Sequence, residues 1–153
     1  MRLLILAATH ALALAVGFAL GIYFLPILTA PPSPSVETLA AEAGAALYRA
    51  ELTRGLRGSD RLHWGEGTIA VGPERIVHEG RLAPGPDYKV YLTASFVEHE
   101  DEFAKSDAAL VGDVKSFDGF ILDVPPGVDI ERYTTVLVWC ESFSEFITAG
   151  RYR

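Results

Sequence analysis

From Leu3 to Leu28 the chain runs without a charged residue, and no other feature narrows so far what it can become. In a helix rising about 1.5 Å per residue, that run is about 39 Å long, enough to cross a hydrocarbon core of about 30 Å. A cleaved signal peptide needs a shorter apolar region, of about 7–15 residues, ahead of a small-x-small site. The sites on offer are poor. Leu28-Thr29-Ala30 places a large residue three positions before the cut, and Ala19-Leu20-Gly21 would cut inside the apolar run. The stretch therefore reads as an uncleaved single-pass anchor. Thr9 and His10 can both be neutral inside a helix and do not break it. Arg2 is the only flanking cation before Arg49, so the bias of cations toward the cytoplasmic side predicts a cytoplasmic N-terminus. The expected location is the cell inner membrane, with the remaining chain periplasmic or otherwise extracytoplasmic.

All acidic residues lie from Glu37 onward. The whole chain carries a net charge of −7, and setting Arg2 aside leaves −8 on the soluble part. A domain so acidic is repelled by phosphate backbones and anionic headgroups, which excludes nucleic acid as an expected partner.

Beyond the anchor, Pro31, Pro32 and Pro34 make a short extended spacer, expected to hold the domain away from the bilayer. Ser35 can cap a helix with Glu37 in its first turn. Val36, Leu39, Ala40, Ala43, Leu47 and Ala50 recur at helical spacing, which predicts about four turns ending near Gly55. The face is mostly alanine, suited to a stalk or to packing on the domain rather than to a coiled coil. From Gly55 the pattern changes to short alternating or apolar runs punctuated by Gly and Pro. Strands are predicted near 68–71, 75–79, 88–94, 111–117, 119–124, 133–140 and 145–152. Tyr88, Val90 and Leu92 share one face, Lys89, Tyr91 and Thr93 the other. The fold expected is mainly β: an antiparallel sandwich or partly closed barrel of about seven to eight strands, after one transmembrane helix and one short amphipathic helix. The organisation expected is an anchor over 1–28, spacer and stalk helix over 29–54, and a β-domain over 55–153.

Several chemistries are absent. The sequence has no Gly-rich phosphate loop, no G-x-S-x-G and no H-E-x-x-H. It has no C-x-x-C-H for covalent haem attachment. Its one methionine is Met1, so no Met can serve as an axial ligand in the soluble part. No nucleophile–base constellation can be named either, and a hydrolase is not expected.

Cys140 is the residue that calls for explanation. A lone cysteine in an oxidising compartment cannot form an intrachain disulfide. In Val136-Leu137-Val138-Trp139-Cys140 the alternation sets it on the face of Val136 and Val138. One reading is a buried, inert small hydrophobe with a raised thiol pKa. The other is a redox thiol or a ligand to a bound group. His63 and His78, with His99, are the other soft or imidazole candidates; His78 shares a face with Ile76 and Leu82 and is expected to point inward. Any metal or haem site would draw on these residues. The run Glu98-His99-Glu100-Asp101-Glu102 lacks the spacing of a calcium loop and reads as a solvated loop.

Gly85-Pro86-Asp87-Tyr88-Lys89-Val90-Tyr91-Leu92 resembles the GPDxxVYL signature of the DM-thirteen, or electron-transfer DM, domain family. Val114-Lys115-Ser116-Phe117-Asp118-Gly119-Phe120, Val124-Pro125 with Gly127-Val128-Asp129, and Tyr133 with Val136–Cys140 and Phe143 resemble its later signatures in order. His63 and Gly67 fit its opening segment. The resemblance spans about 55–153. It implies an all-β extracytoplasmic module whose single characteristic cysteine, here Cys140, acts in redox chemistry as a free thiol or by holding a prosthetic group such as haem. It also implies an envelope or membrane redox protein as partner. The function expected is thus a membrane-tethered redox or electron-transfer accessory module. The alternative is a non-catalytic interaction module in which Cys140 only fills the core.

Overall fold

A computed structural model describes residues 1–153, apart from the side chain of Ser106. Helix α1, Arg2–Thr29, is long and apolar enough to cross a membrane, and none of its residues is buried. Pro26 lies inside its last turns, and Thr29 returns its hydroxyl to the Leu25 carbonyl at 2.8 Å. Helix α2, Val36–Ala43, starts at Ser35, whose hydroxyl oxygen accepts from the Thr38 N–H at 3.2 Å.

Helix α2 is shorter than the alanine spacing predicts. Residues Tyr48–Leu52 form strand β1 instead. The segment satisfies both periods, but only as a strand can Ala50 and Leu52 enter the main core, and β1 gains a full antiparallel partner from Leu52↔Gly67 to Tyr48↔Val71. Leu39 and Ala43 of α2 pack on Ala70 and Val77, so the helix covers a sheet rather than standing as a stalk.

The other strands are β2 Gly65–Val71, β3 Arg75–Leu82, β4 Tyr88–Thr93, β5 Ala108–Val114, β6 Phe120–Asp123, β7 Thr135–Cys140 and β8 Glu145–Arg151. All seven overlap the runs where turn residues and alternation predict them, although β5 begins and ends three residues before its predicted run, stopping at Val114. They form two four-stranded antiparallel sheets, ordered β1-β2-β3-β6 and β5-β4-β7-β8. This is a sandwich, not a closed barrel. Ile69, Ile76, Val90, Leu92, Val136, Val138 and Cys140 meet between the sheets. The outer face of the second sheet is buried too, because the segment after β4 folds Val97 and Phe103 over Tyr91, Leu137 and Trp139. Alternation within β4 alone does not reveal that cover.

The proline spacer does not hold the sandwich clear of α1. Ser33 accepts the Asp118 N–H at 3.3 Å, and the sandwich lies beside the last turns of the helix. The end of the sandwich nearest α1 carries three connections: the segment leading into β2, the β3–β4 loop and the β7–β8 turn.

Candidate functional site

The site is built where the β3–β4 loop meets the β7–β8 turn. Asp87 adopts φ +53°, a left-handed conformation that Asp tolerates better than most residues. In that conformation its carbonyl accepts the Glu141 N–H at 3.0 Å, and its carboxylate accepts the Ser142 hydroxyl at 2.9 Å. The preceding carbonyl, of Pro86, accepts the Cys140 thiol at 3.2 Å. Gly85 must lack a side chain, because a Cβ there would lie 2.3 Å from the Tyr88 hydroxyl. The Gly-Pro-Asp-Tyr run is therefore a bracket that fixes Cys140 and the turn after it.

Cys140 is 3% exposed. Burial pushes its thiol above the ordinary range, the backbone N–H groups of Phe143 and Ser142 pull the other way, and the charges of Asp87 and Glu145 add to the rise. The thiol is nevertheless not sealed in the core. It lines a cavity of about 340 Å³ together with Tyr88, His63, Leu62 and Phe143 on the sandwich and Ala19, Ile22 and Tyr23 on α1. Burial also raises the Tyr88 phenol well above its usual value, helped by Cys140 and Asp60. At neutral pH the cavity wall therefore presents a protonated thiol and a protonated phenol.

His63 reaches this cavity through an Asx turn. The Asp60 carboxylate accepts the N–H groups of Leu62 and His63 at 2.6 and 2.7 Å, and its second oxygen lies 3.1 Å from His63 Nδ1. Burial pulls the Asp60 carboxyl up, but those donors hold it below its usual range. With Nδ1–H donating to the carboxylate, Nε2 is left as an acceptor. Asp60 is the member that sequence reading missed. The D-x-x-H spacing was its available signal, since an Asp three residues before a His can cap both the turn and the ring.

His78 is placed elsewhere. It is fully buried, points inward from β3 as expected, and packs against Phe120 with ring centroids 5.2 Å apart. Its Nε2 lies 3.1 Å from the Glu66 carbonyl, and its Nδ1 has no partner. Burial lowers its pKa, so it stays neutral. It does not line the Cys140 cavity. Within the Glu98–Glu102 run, Glu100–Glu102 form an exposed short turn after the half-buried Glu98 and His99, with Arg57 paired to Glu102. Trp64, inside the opening segment, packs under the Arg54 guanidinium, 3.3 Å from the ring centre.

Residues 58–152 match the family model described as Electron transfer DM13. The chain belongs to this family. No curated protein and no solved structure matches it. The residues of this DM13 domain do not suit haem. Cys140 is almost fully buried and its thiol is engaged by the Pro86 carbonyl, so an iron could reach the sulfur only if that hydrogen bond opened. The cavity also lies at the small end of the range for small-molecule sites, about 300–1,000 Å³. What the DM13 cavity can do chemically is bind a compact, largely apolar molecule against a thiol, with an imidazole in the same wall.

Proposed function

We propose that the chain is a membrane-tethered redox module in which Cys140 is the electron-carrying group. In this reading α1 spans the inner membrane with Arg2 on the cytoplasmic side, and the sandwich lies on the extracytoplasmic side. The observation that carries the reading is that Cys140 and His63 open onto one cavity, although they are far apart in the chain. An inert core thiol has no need of that cavity.

The step available to a lone thiol is two-electron oxidation by a hydroperoxide. The sulfur attacks one peroxide oxygen, an S–O bond forms as the O–O bond breaks, and an alcohol or water leaves. The thiol proton leaves the Pro86 carbonyl and crosses the cavity to the departing oxygen, with His63 Nε2 as the acceptor in the same wall, so Cys140 becomes a sulfenic acid. Thiols of a partner protein return the two electrons through a mixed disulfide and release water. His63 is held for this task by Asp60, in the manner of a base oriented by a carboxylate.

Treating the full chain with peroxide and trapping sulfenic acid with dimedone tests the reading. Mass spectrometry should find the adduct at Cys140, formed more slowly in His63→Gln. A Cys140 that stays unmodified at neutral and at alkaline pH would sink it. The second reading, an interaction module, is favoured by the Pro86 hydrogen bond and the near-complete burial of Cys140. In that case Cys140→Ala should cost about 1–2 kcal/mol of stability through lost packing and leave cellular function intact.

A further inference from the structure

The sandwich carries two large apolar side chains at its α1-facing end that its own core does not use. Leu62 is 56% exposed and Phe143 51% exposed. Both stand beside the anchor well below its last turn. Phe143 faces Gly17, Phe18 and Gly21, and with Leu62 it faces Ala19, Ile22 and Tyr23.

These heights can be set against a bilayer. The uncharged run of α1 is about 39 Å long and the hydrocarbon core about 30 Å thick, leaving a surplus of about six residues. With Leu3 at the inner boundary of the core, the outer boundary falls near Ile22 and Tyr23, where an aromatic residue at the interface is expected. Phe143 then stands at or below that boundary.

The polarity of the sandwich changes at the same level. No carboxylate or cation lines the cavities beside Gly17–Tyr23. Charged side chains first line α1 and the spacer beyond Leu25: Asp87 and Lys115 on one side, Arg81 and Asp118 on the other. Asp60 and Arg61, next to Leu62, are both exposed, which sets two charged groups at headgroup level when Leu62 enters the acyl chains.

We infer that the Leu62 and Phe143 end of the sandwich is a bilayer-docking surface, inserted among the acyl chains of the outer leaflet beside α1. The inference rests on the reading that α1 spans the membrane. It is argued from the continuity of the two side chains with the anchor and from the change in polarity at the boundary.

Photocrosslinking of the unaltered full chain tests it. The chain is reconstituted into phosphatidylcholine vesicles that contain a phosphatidylcholine with a diazirine on its acyl chain. After illumination and tryptic digestion, adducts are expected in α1, at Leu62 within the 62–75 peptide, and at Phe143 within the 133–151 peptide. The Pro73–Glu74 turn, at the far end of the sandwich, should stay unlabelled. Adducts confined to α1 would overturn the docking surface while leaving the anchor in place. No adducts in α1 would overturn the anchor and the docking surface with it.

Discussion

The Cys140 thiol donates to the carbonyl oxygen of Pro86 at 3.2 Å, so the two ends of the family signature are joined by the group that gives the domain its interest. The hydrogen bond uses the protonated form, and burial acts in the same direction. Cys140 should therefore react slowly at neutral pH. Its alkylation rate with iodoacetamide should keep rising above pH values where an ordinary thiol, with a pKa of about 8.5, has levelled off. A rate that is already flat near neutrality would contradict this.

The carboxylate of Asp87 raises the Cys140 thiol further. Asp87→Asn keeps a residue that tolerates positive φ and an acceptor for Ser142, but removes the charge. Alkylation of Cys140 at neutral pH should become faster with stability almost unchanged. Asp87→Ala loses both the acceptor and the left-handed tolerance, and should destabilise the domain by about 1–3 kcal/mol in urea unfolding.

Gly85→Ala should be costly for a different reason. The added methyl would fall 2.3 Å from the Tyr88 hydroxyl oxygen, and Tyr88 is buried and cannot swing away freely. Overpacking of this kind costs about 1–3 kcal/mol. Gly85→Ala combined with Tyr88→Phe should recover part of the loss, as measured by thermal unfolding.

His78 supplies a pH dependence. Burial lowers its pKa in the folded state, while the unfolded chain takes up its proton near pH 6.5. The unfolded state then binds more protons, so stability is full above about 6.5 and falls as pH drops through the lower folded value. In His78→Leu the part of the acid destabilisation that begins just below pH 6.5 should disappear, although the variant strands the Glu66 carbonyl and starts from a lower stability. Urea midpoints measured from pH 8 down to pH 5 would check both statements.

The seven strands after Gly55 were readable because each is bounded by its own Gly or Pro and shows its own alternation, which are properties of neighbouring residues. The inward placement of His78 and of Cys140 follows from the same period of two. Strand β1 was not readable: Tyr48–Leu52 suits either period locally, and only pairing with β2 chooses between them. The burial of Tyr91 depends likewise on Val97 and Phe103 folding back over it.

The apolar run from Leu3 to Leu28 by itself determined that the chain begins with a helix long enough to cross a membrane, because length and hydropathy are additive along a sequence. The signature residues around Pro86 and Cys140 likewise determined the family. Tertiary structure alone decided that His63 shares a cavity with Cys140 while His78 does not, and that α1 forms one wall of it. Those relations join residues as distant in the chain as Tyr23, His63 and Cys140. A contact of that range depends on how the sheets, the Asx turn at Asp60 and the spacer pack together, and no local pattern encodes it.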